Sequence, residues 1–164
     1  MIEIHPTAYV SPLADIEDSA KGSRIIVGPN SYIDAFVKFK AAGGTGDIVI
    51  GSHSFINSGC ILYIGNGIVV GDNVSIAANC VLAPTSHEFE DRNTLHQNQG
   101  FRPSRGGIRI ENDVWVGAGS VLLDGATLNV GCVIGACSLV RGPTDPYGIY
   151  AGNPLVKRGE RIGK

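Results

Sequence analysis

Ile110-Glu111-Asn112-Asp113-Val114-Trp115 is followed, six residues at a time, by VGAGSV (116–121), LLDGAT (122–127), LNVGCV (128–133), IGACSL (134–139) and VRGPTD (140–145). Every block opens with Ile, Leu or Val. The fifth residues of the first five blocks are Val114, Ser120, Ala126, Cys132 and Ser138, all small or β-branched. Glycine recurs near the second and fourth positions. A hexad with one large and one small inward side chain fits a short strand plus a corner. Three such sides close a triangular coil, and stacked coils pair their backbones at about 4.8 Å. No coil buries its aliphatic residues alone, so several must stack.

The pattern extends upstream. Ile4, Val10 and Ile16 open one run, Val27 and Ile33 a second, Ile50 and Ile56 a third, and Ile64, Val70, Ile76 and Leu82 a fourth. Small residues again hold fifth positions, among them Ala8, Ala14, Ser31, Ser54, Cys60, Val74 and Cys80. The phase shifts between runs, which predicts short insertions near residues 22–26, 45–49 and 62–63. A β-sandwich would space its turns at roughly 8–12 residues with alternating polarity, and unbroken hexads do not fit that. The sequence therefore reads as an all-β chain, a parallel β-helix of hexapeptide repeats. Residues 1–145 form the helix, with one long excursion at about 88–107. Residues 146–164 form a short C-terminal tail packing on or near the last coil.

Composition agrees. The chain has 164 residues, the size of one domain, and its 23 glycines beside a single Met and a single Trp disfavour a helical bundle. A net charge of −2 supplies no basic field for nucleic acid. No apolar run is long enough for a membrane span, and Met1 to Pro6 does not open a secretory signal. The expected location is cytoplasmic. Cys60, Cys80, Cys132 and Cys137 contain no C-x-x-C pair and read as reduced residues, the first three as small inward hydrophobes.

The hexads stop after His87 and resume near Ile108. A loop this long in a compact domain is usually functional or disordered. It carries Glu88, Asp91, Arg92, Arg102 and Arg105 within reach of a ligand. His5, His53, His87 and His96 raise a zinc reading, but they form no compact ligand motif, and the expectation is no metal. Gly117-Ala118-Gly119 and Gly135-Ala136 stand one coil apart, so they stack on one side of the prism, where small side chains let a ligand approach the backbone. Lys157, Arg158 and Arg161 make the tail locally basic, with Arg141 nearby.

Val70-Gly71-Asp72-Asn73-Val74, Pro84-Thr85-Ser86-His87, Ile110 to Gly119 and Ala151-Gly152-Asn153-Pro154 resemble the motifs of the hexapeptide-repeat acyltransferases. The likeness is to the subgroup of galactoside, maltose and xenobiotic acetyltransferases and surface-polysaccharide O-acetyltransferases, and it is strongest from Ile50 to Leu155. It implies a left-handed coil, although general chirality rules favour right-handed crossovers. It implies acetyl-CoA as acyl donor, a sugar or glycoconjugate as acceptor, and a homotrimer with sites between subunits. His87 matches the family's general base, a role that suits imidazole at an acceptor hydroxyl or amine. Asn57, Trp115 and Arg92 are the candidate acceptor contacts. Ala118 and Ala136 match the positions along the pantetheine arm, and Arg141, Lys157 and Arg158 are candidates for the CoA phosphates. The sequence departs from the family at Arg141-Gly142, where Thr-Lys is common, and at Leu155, where Ala is frequent. Galactoside members hold their sugar with a carboxylate near Ile64-Gly65-Asn66, and none stands here. Two further readings stay open: N-acetylation of an amino-sugar nucleotide, and a different class altogether, a structural β-helix or a zinc enzyme of the γ-carbonic-anhydrase kind.

Overall fold

A computed structural model describes residues 1–163; Lys164, the last residue of the expected tail, lies outside them. The chain winds through six triangular coils. The first holds β1 (Ile2–Ile4), β2 (Tyr9–Val10) and β3 (Asp15–Ile16); the second β4 (Ile25–Val27), β5 (Tyr32–Ile33) and β6 (Lys38–Lys40). The third holds β7 (Ile48–Ile50), β8 (Phe55–Ile56) and β9 (Ile61–Tyr63); the fourth β10 (Ile68–Val70), β11 (Ser75–Ile76) and β12 (Val81–Ala83). The fifth holds β13 (Ile108–Ile110), β14 (Trp115–Val116) and β15 (Val121–Leu123); the sixth β16 (Thr127–Leu128), β17 (Val133–Ile134) and β18 (Leu139–Val140). β19 (Gly148–Ala151) adds one more parallel rung beside β17, and β20 (Val156–Glu160) folds back antiparallel on β19.

The strands stack into three sheets, the sides of the prism. The first side runs β1-β4-β7-β10-β13-β16, the second β2-β5-β8-β11-β14-β17-β19-β20, and the third β3-β6-β9-β12-β15-β18. Registers are in phase down each side, as in Ile68↔Ile108, Ile76↔Val116 and Leu82↔Leu122. The large hexad residues therefore fall on top of one another inside the prism. Ile33, Ile56, Ile76, Val116 and Ile134 line the second side, and Phe39, Leu62, Leu82, Leu122 and Val140 the third, all fully buried. Each such burial stabilises by roughly 1.5–3 kcal/mol.

The small fifth residues fill the inner corners. Ser31, Ser54, Val74, Val114 and Cys132 descend the corner between the first and second sides; Val37, Cys60, Cys80, Ser120 and Ser138 descend the next. A buried hydroxyl needs a partner, and each serine finds a corner carbonyl: Ser31 donates to Gly51 O at 2.7 Å and Ser120 to Gly117 O at 2.7 Å. Outer corner residues take the left-handed backbone region, where Asn and Gly are most at ease. Asn73 (φ 57°), Asn79 (φ 59°) and Gly119 (φ 69°) hold such places.

All extra residues leave from one edge, where the third side passes to the first. They lie between Ile16 and Ile25, Lys40 and Ile48, Tyr63 and Ile68, and Ala83 and Ile108. The insertions expected near 22–26, 45–49 and 62–63 are thus displaced by a few residues. Repeat phase locates an insertion only where the next inward aliphatic reappears. Among the described residues no helix is long and apolar enough to cross a membrane.

Candidate active site

The excursion between Ala83 and Ile108 starts and ends as a two-stranded ribbon. His87 and Phe101 form an antiparallel bridge; the Glu88 amide donates to Gly100 O at 3.0 Å and the Arg102 amide to Ser86 O at 2.9 Å. Side chains alternate across such a ribbon, so it has two unlike faces. On one, the His87 and Phe101 rings lie 4.5 Å apart. On the other, Arg102 pairs with Glu88 (3.1 Å) and Glu90 (2.5 Å) and lies over the Phe89 ring. The Phe89 amide, and then Arg102, hold the Glu88 carboxyl below the usual carboxylate range. At the tip, Gln99 bridges to Asp91 and Thr94, and the Thr94 hydroxyl donates to Asp91, whose carboxyl is lowered by that bond and the Asn93 amide.

The His87 face closes a cleft of about 280 Å³ with Ala42, Gly43, Tyr63, Ala83, Thr85 and Phe101. Tyr63 and Ala83 project outward from the third side on successive rungs, and Ala42 and Gly43 come from the insertion that leaves the same edge after β6. Among the described residues no protein group hydrogen-bonds the His87 ring nitrogens, which leaves them free to meet a ligand. The opposite face of the ribbon roofs a larger cleft of about 510 Å³, floored by Leu123 and rimmed by Arg102, Arg105, Asp124 and Arg141. Thr85 lines both clefts. Asp124 is buried and anchors the returning loop, accepting from the Arg105 amide (2.7 Å) and the Gly107 amide (2.9 Å).

The other sequence-derived candidates fall in three places. Ala118 and Ala136 are exposed and stack at the corner between the second and third sides. The coils touch there: a Cβ on Gly117 would sit 2.5 Å from the Ala136 nitrogen. Asn57 occupies the same corner higher up, its amide spent on Ile76 O at 2.8 Å. Trp115 is 55% exposed and projects from the second side, in a cleft of about 500 Å³ with Asn73, Ser75, Asp113 and Arg161. Arg92 stands exposed near the loop tip. Arg141 lies on the third side below Leu123, in line with Ala83 of the His87 cleft. In the tail, Lys157 is held by Asp145 (2.8 Å) and Glu160 (2.5 Å), which push its ammonium pKa up, while Arg158 is exposed without an ion pair among the described residues. One chain thus brings Arg141 to the loop cleft and stacks Ala118 on Ala136, but it does not bring His87 to Trp115, Asn57 or the alanine corner.

Tyr63, Thr85, Phe101 and Asp124 were not singled out from sequence. Asp124 left a signal, an acidic residue inside a repeat just before Gly125. Phe101 left none, because its partnership with His87 depends on how an aperiodic loop folds back. Among the described residues no three His, Cys, Asp or Glu side chains converge where they could hold a metal ion.

No family model matches the chain. The galactoside O-acetyltransferase of Escherichia coli is 30% identical over 128 residues, 78% of this chain and 60% of that protein. The chain spans between a third and about three-quarters of the length of the first curated relatives it matches. AntD, an N-acyltransferase from Bacillus cereus, solved as a variant with dTDP-4-amino-4,6-dideoxyglucose and coenzyme A, superposes with a TM-score of 0.81 at 25% identity over 99% of this chain and 84% of that one. VCA0836 of Vibrio cholerae, a hexapeptide-repeat acetyltransferase solved with acetyl-CoA, superposes with a TM-score of 0.72 at 26% identity, covering 83% and 71%. The fold is that of the left-handed parallel β-helix.

Proposed function

The homologues of this chain are hexapeptide-repeat acetyltransferases, and from that kinship we propose that it moves an acetyl group from acetyl-CoA to a hydroxyl of a sugar or glycoconjugate, with His87 as general base. The observation that carries the reading is the His87 cleft: an imidazole with unengaged nitrogens, steadied by Phe101, at the mouth of a ligand-sized recess. In the proposed step His87 takes the acceptor proton as the acceptor oxygen attacks the thioester carbonyl. The tetrahedral adduct collapses, the C–S bond breaks, and the imidazolium returns its proton to the departing sulfur. No covalent enzyme intermediate is needed, only both substrates held in one cleft.

The donor's pantetheine arm is placed along Ala118 and Ala136, with Arg141, Lys157 and Arg158 as candidates for its phosphates. A phosphate at Lys157 must compete with Asp145 and Glu160. Trp115, Asn57 and Arg92 are proposed to meet the acceptor. Because His87, the alanine corner and Trp115 lie on different parts of one prism, this reading requires the sites to form between copies, as a homotrimer provides. The likeness to AntD favours a second reading, transfer to the amine of a nucleotide-linked amino sugar, which the same base and thioester serve.

The test is thiol release from acetyl-CoA against sugars, amino sugars and nucleotide-linked amino sugars, with His87→Ala alongside. Acceptor-dependent turnover that falls by about 10²–10⁴-fold in the variant is expected. Turnover surviving in the variant removes His87 from the chemistry. Absence of both turnover and CoA binding removes the acyltransferase reading and favours a structural β-helix.

A further inference from the structure

The cleft on the opposite face of the loop ribbon from His87 holds two guanidinium groups with no carboxylate partner. Arg105 and Arg141 both line it, and among the described residues neither guanidinium makes an ion pair. The third arginine there, Arg102, is satisfied by Glu88 and Glu90. The remaining acid, Asp124, has one oxygen on the Arg105 amide and the other on the Gly107 amide. Every carboxylate in the cleft is therefore committed to the ribbon or the loop return, and two cations are left over. The Arg105 side chain is laid along the cleft by Gly125, where an added Cβ would come within 3.0–3.4 Å of its Cβ, Nε and Cζ. Arg141 follows Val140, one rung below Leu122. Arg141 thus stands on the third side just below Leu123, and Arg105 on the loop return that the neighbouring Asp124 holds against the same side.

The geometry points to a diphosphate site in this cleft, with Arg105 and Arg141 each gripping one of two adjoining phosphoryl groups. A guanidinium fork matches phosphoryl oxygens bidentately, which an ammonium does not. Thr85 joins this cleft to the His87 cleft, so a molecule anchored here by its phosphates reaches the base with its other end. The inference rests on the acetyl-transfer reading for the use of the site, but its chemistry stands apart from it. Two substrates carry such a group, the coenzyme donor and a nucleotide-linked acceptor.

The first experiment needs no turnover: ³¹P line broadening of pyrophosphate by the intact protein, by Arg105→Ala and Arg141→Ala, and by the corresponding Lys variants. Binding that weakens on the order of tenfold in each Ala variant, with partial recovery in Lys, is expected. No binding by the parent protein, or binding that neither Ala variant changes, overturns the proposal. The second experiment assigns the source. A KM raised for acetyl-CoA but not for acetyl-pantetheine places the donor's phosphates in the cleft. A KM raised for a nucleotide-linked amino sugar but not for the free sugar places the acceptor's there. Pyrophosphate binding lost with every KM unchanged refutes a substrate role. Pyrophosphate binding intact in a protein that turns over no acceptor supports the site while counting against acetyl transfer.

Discussion

Replacing Asp124 by Ala isolates what holds the excursion to the prism. Its carboxylate is 8% exposed and accepts from the Arg105 amide at 2.7 Å and the Gly107 amide at 2.9 Å. The two amides differ in what they lose. Gly107 is buried, and its N–H is left without an acceptor, a cost of about 1–3 kcal/mol. Arg105 is exposed, so water replaces the carboxylate there at a cost of about 1 kcal/mol or less. The sum is about 1–4 kcal/mol. Asp124→Asn keeps one oxygen for one amide and turns an NH₂ toward the other, so it recovers only part. Urea unfolding should show a lower midpoint at unchanged slope. Amide exchange should quicken at Gly107 and Arg105 before any core amide, because the loop return opens without the coils. The same midpoint for Asp124→Ala, with Gly107 and Arg105 exchanging as before, would refute this account of the anchor.

Gly117→Ala places a Cβ 2.5 Å from the Ala136 nitrogen, so the two coils must part at the alanine corner; about 1–3 kcal/mol is lost, read as a lower thermal midpoint, and an unchanged midpoint contradicts the close packing. The Glu88 and Asp91 carboxyls are depressed by the Phe89 amide and the Thr94 hydroxyl respectively. Their contribution to loop order is complete above the ordinary carboxylate range and lost as pH falls through the depressed values. The Phe89 and Asn93 amide resonances should therefore titrate below that range, and titration at the ordinary value would count against the bonds. Sedimentation at micromolar concentration should give a trimer; a monomer would remove the proposal of sites shared between copies.

The ordering of the coil was legible because a repeat is a local rule. Once Ile110, Val116 and Leu122 open successive hexads, the inward place of Val114, Ser120 and Ala126 follows, and eighteen residues later Ala136 must stand under Ala118. The loop was legible as an interruption, and His87 as the residue at which the hexads stop. Its folded form was not, since nothing periodic connects His87 to Phe101 or Asp124 to Gly107. Those pairs are long-range contacts decided when an aperiodic segment turns back on the third side. Charge shows the same division. The sequence counts Arg102, Arg105, Arg141 and Lys157 alike as cations, whereas the fold neutralises Arg102 and Lys157 with carboxylates and gives Arg105 and Arg141 no ion pair among the described residues. The prism and the stacking of its corners could be read from the residues alone, because hexad spacing fixes which of them share a rung. The common edge by which the insertions leave, and which charges are spent, emerged from the folded chain, because both depend on how the connecting segments turn back against the stack.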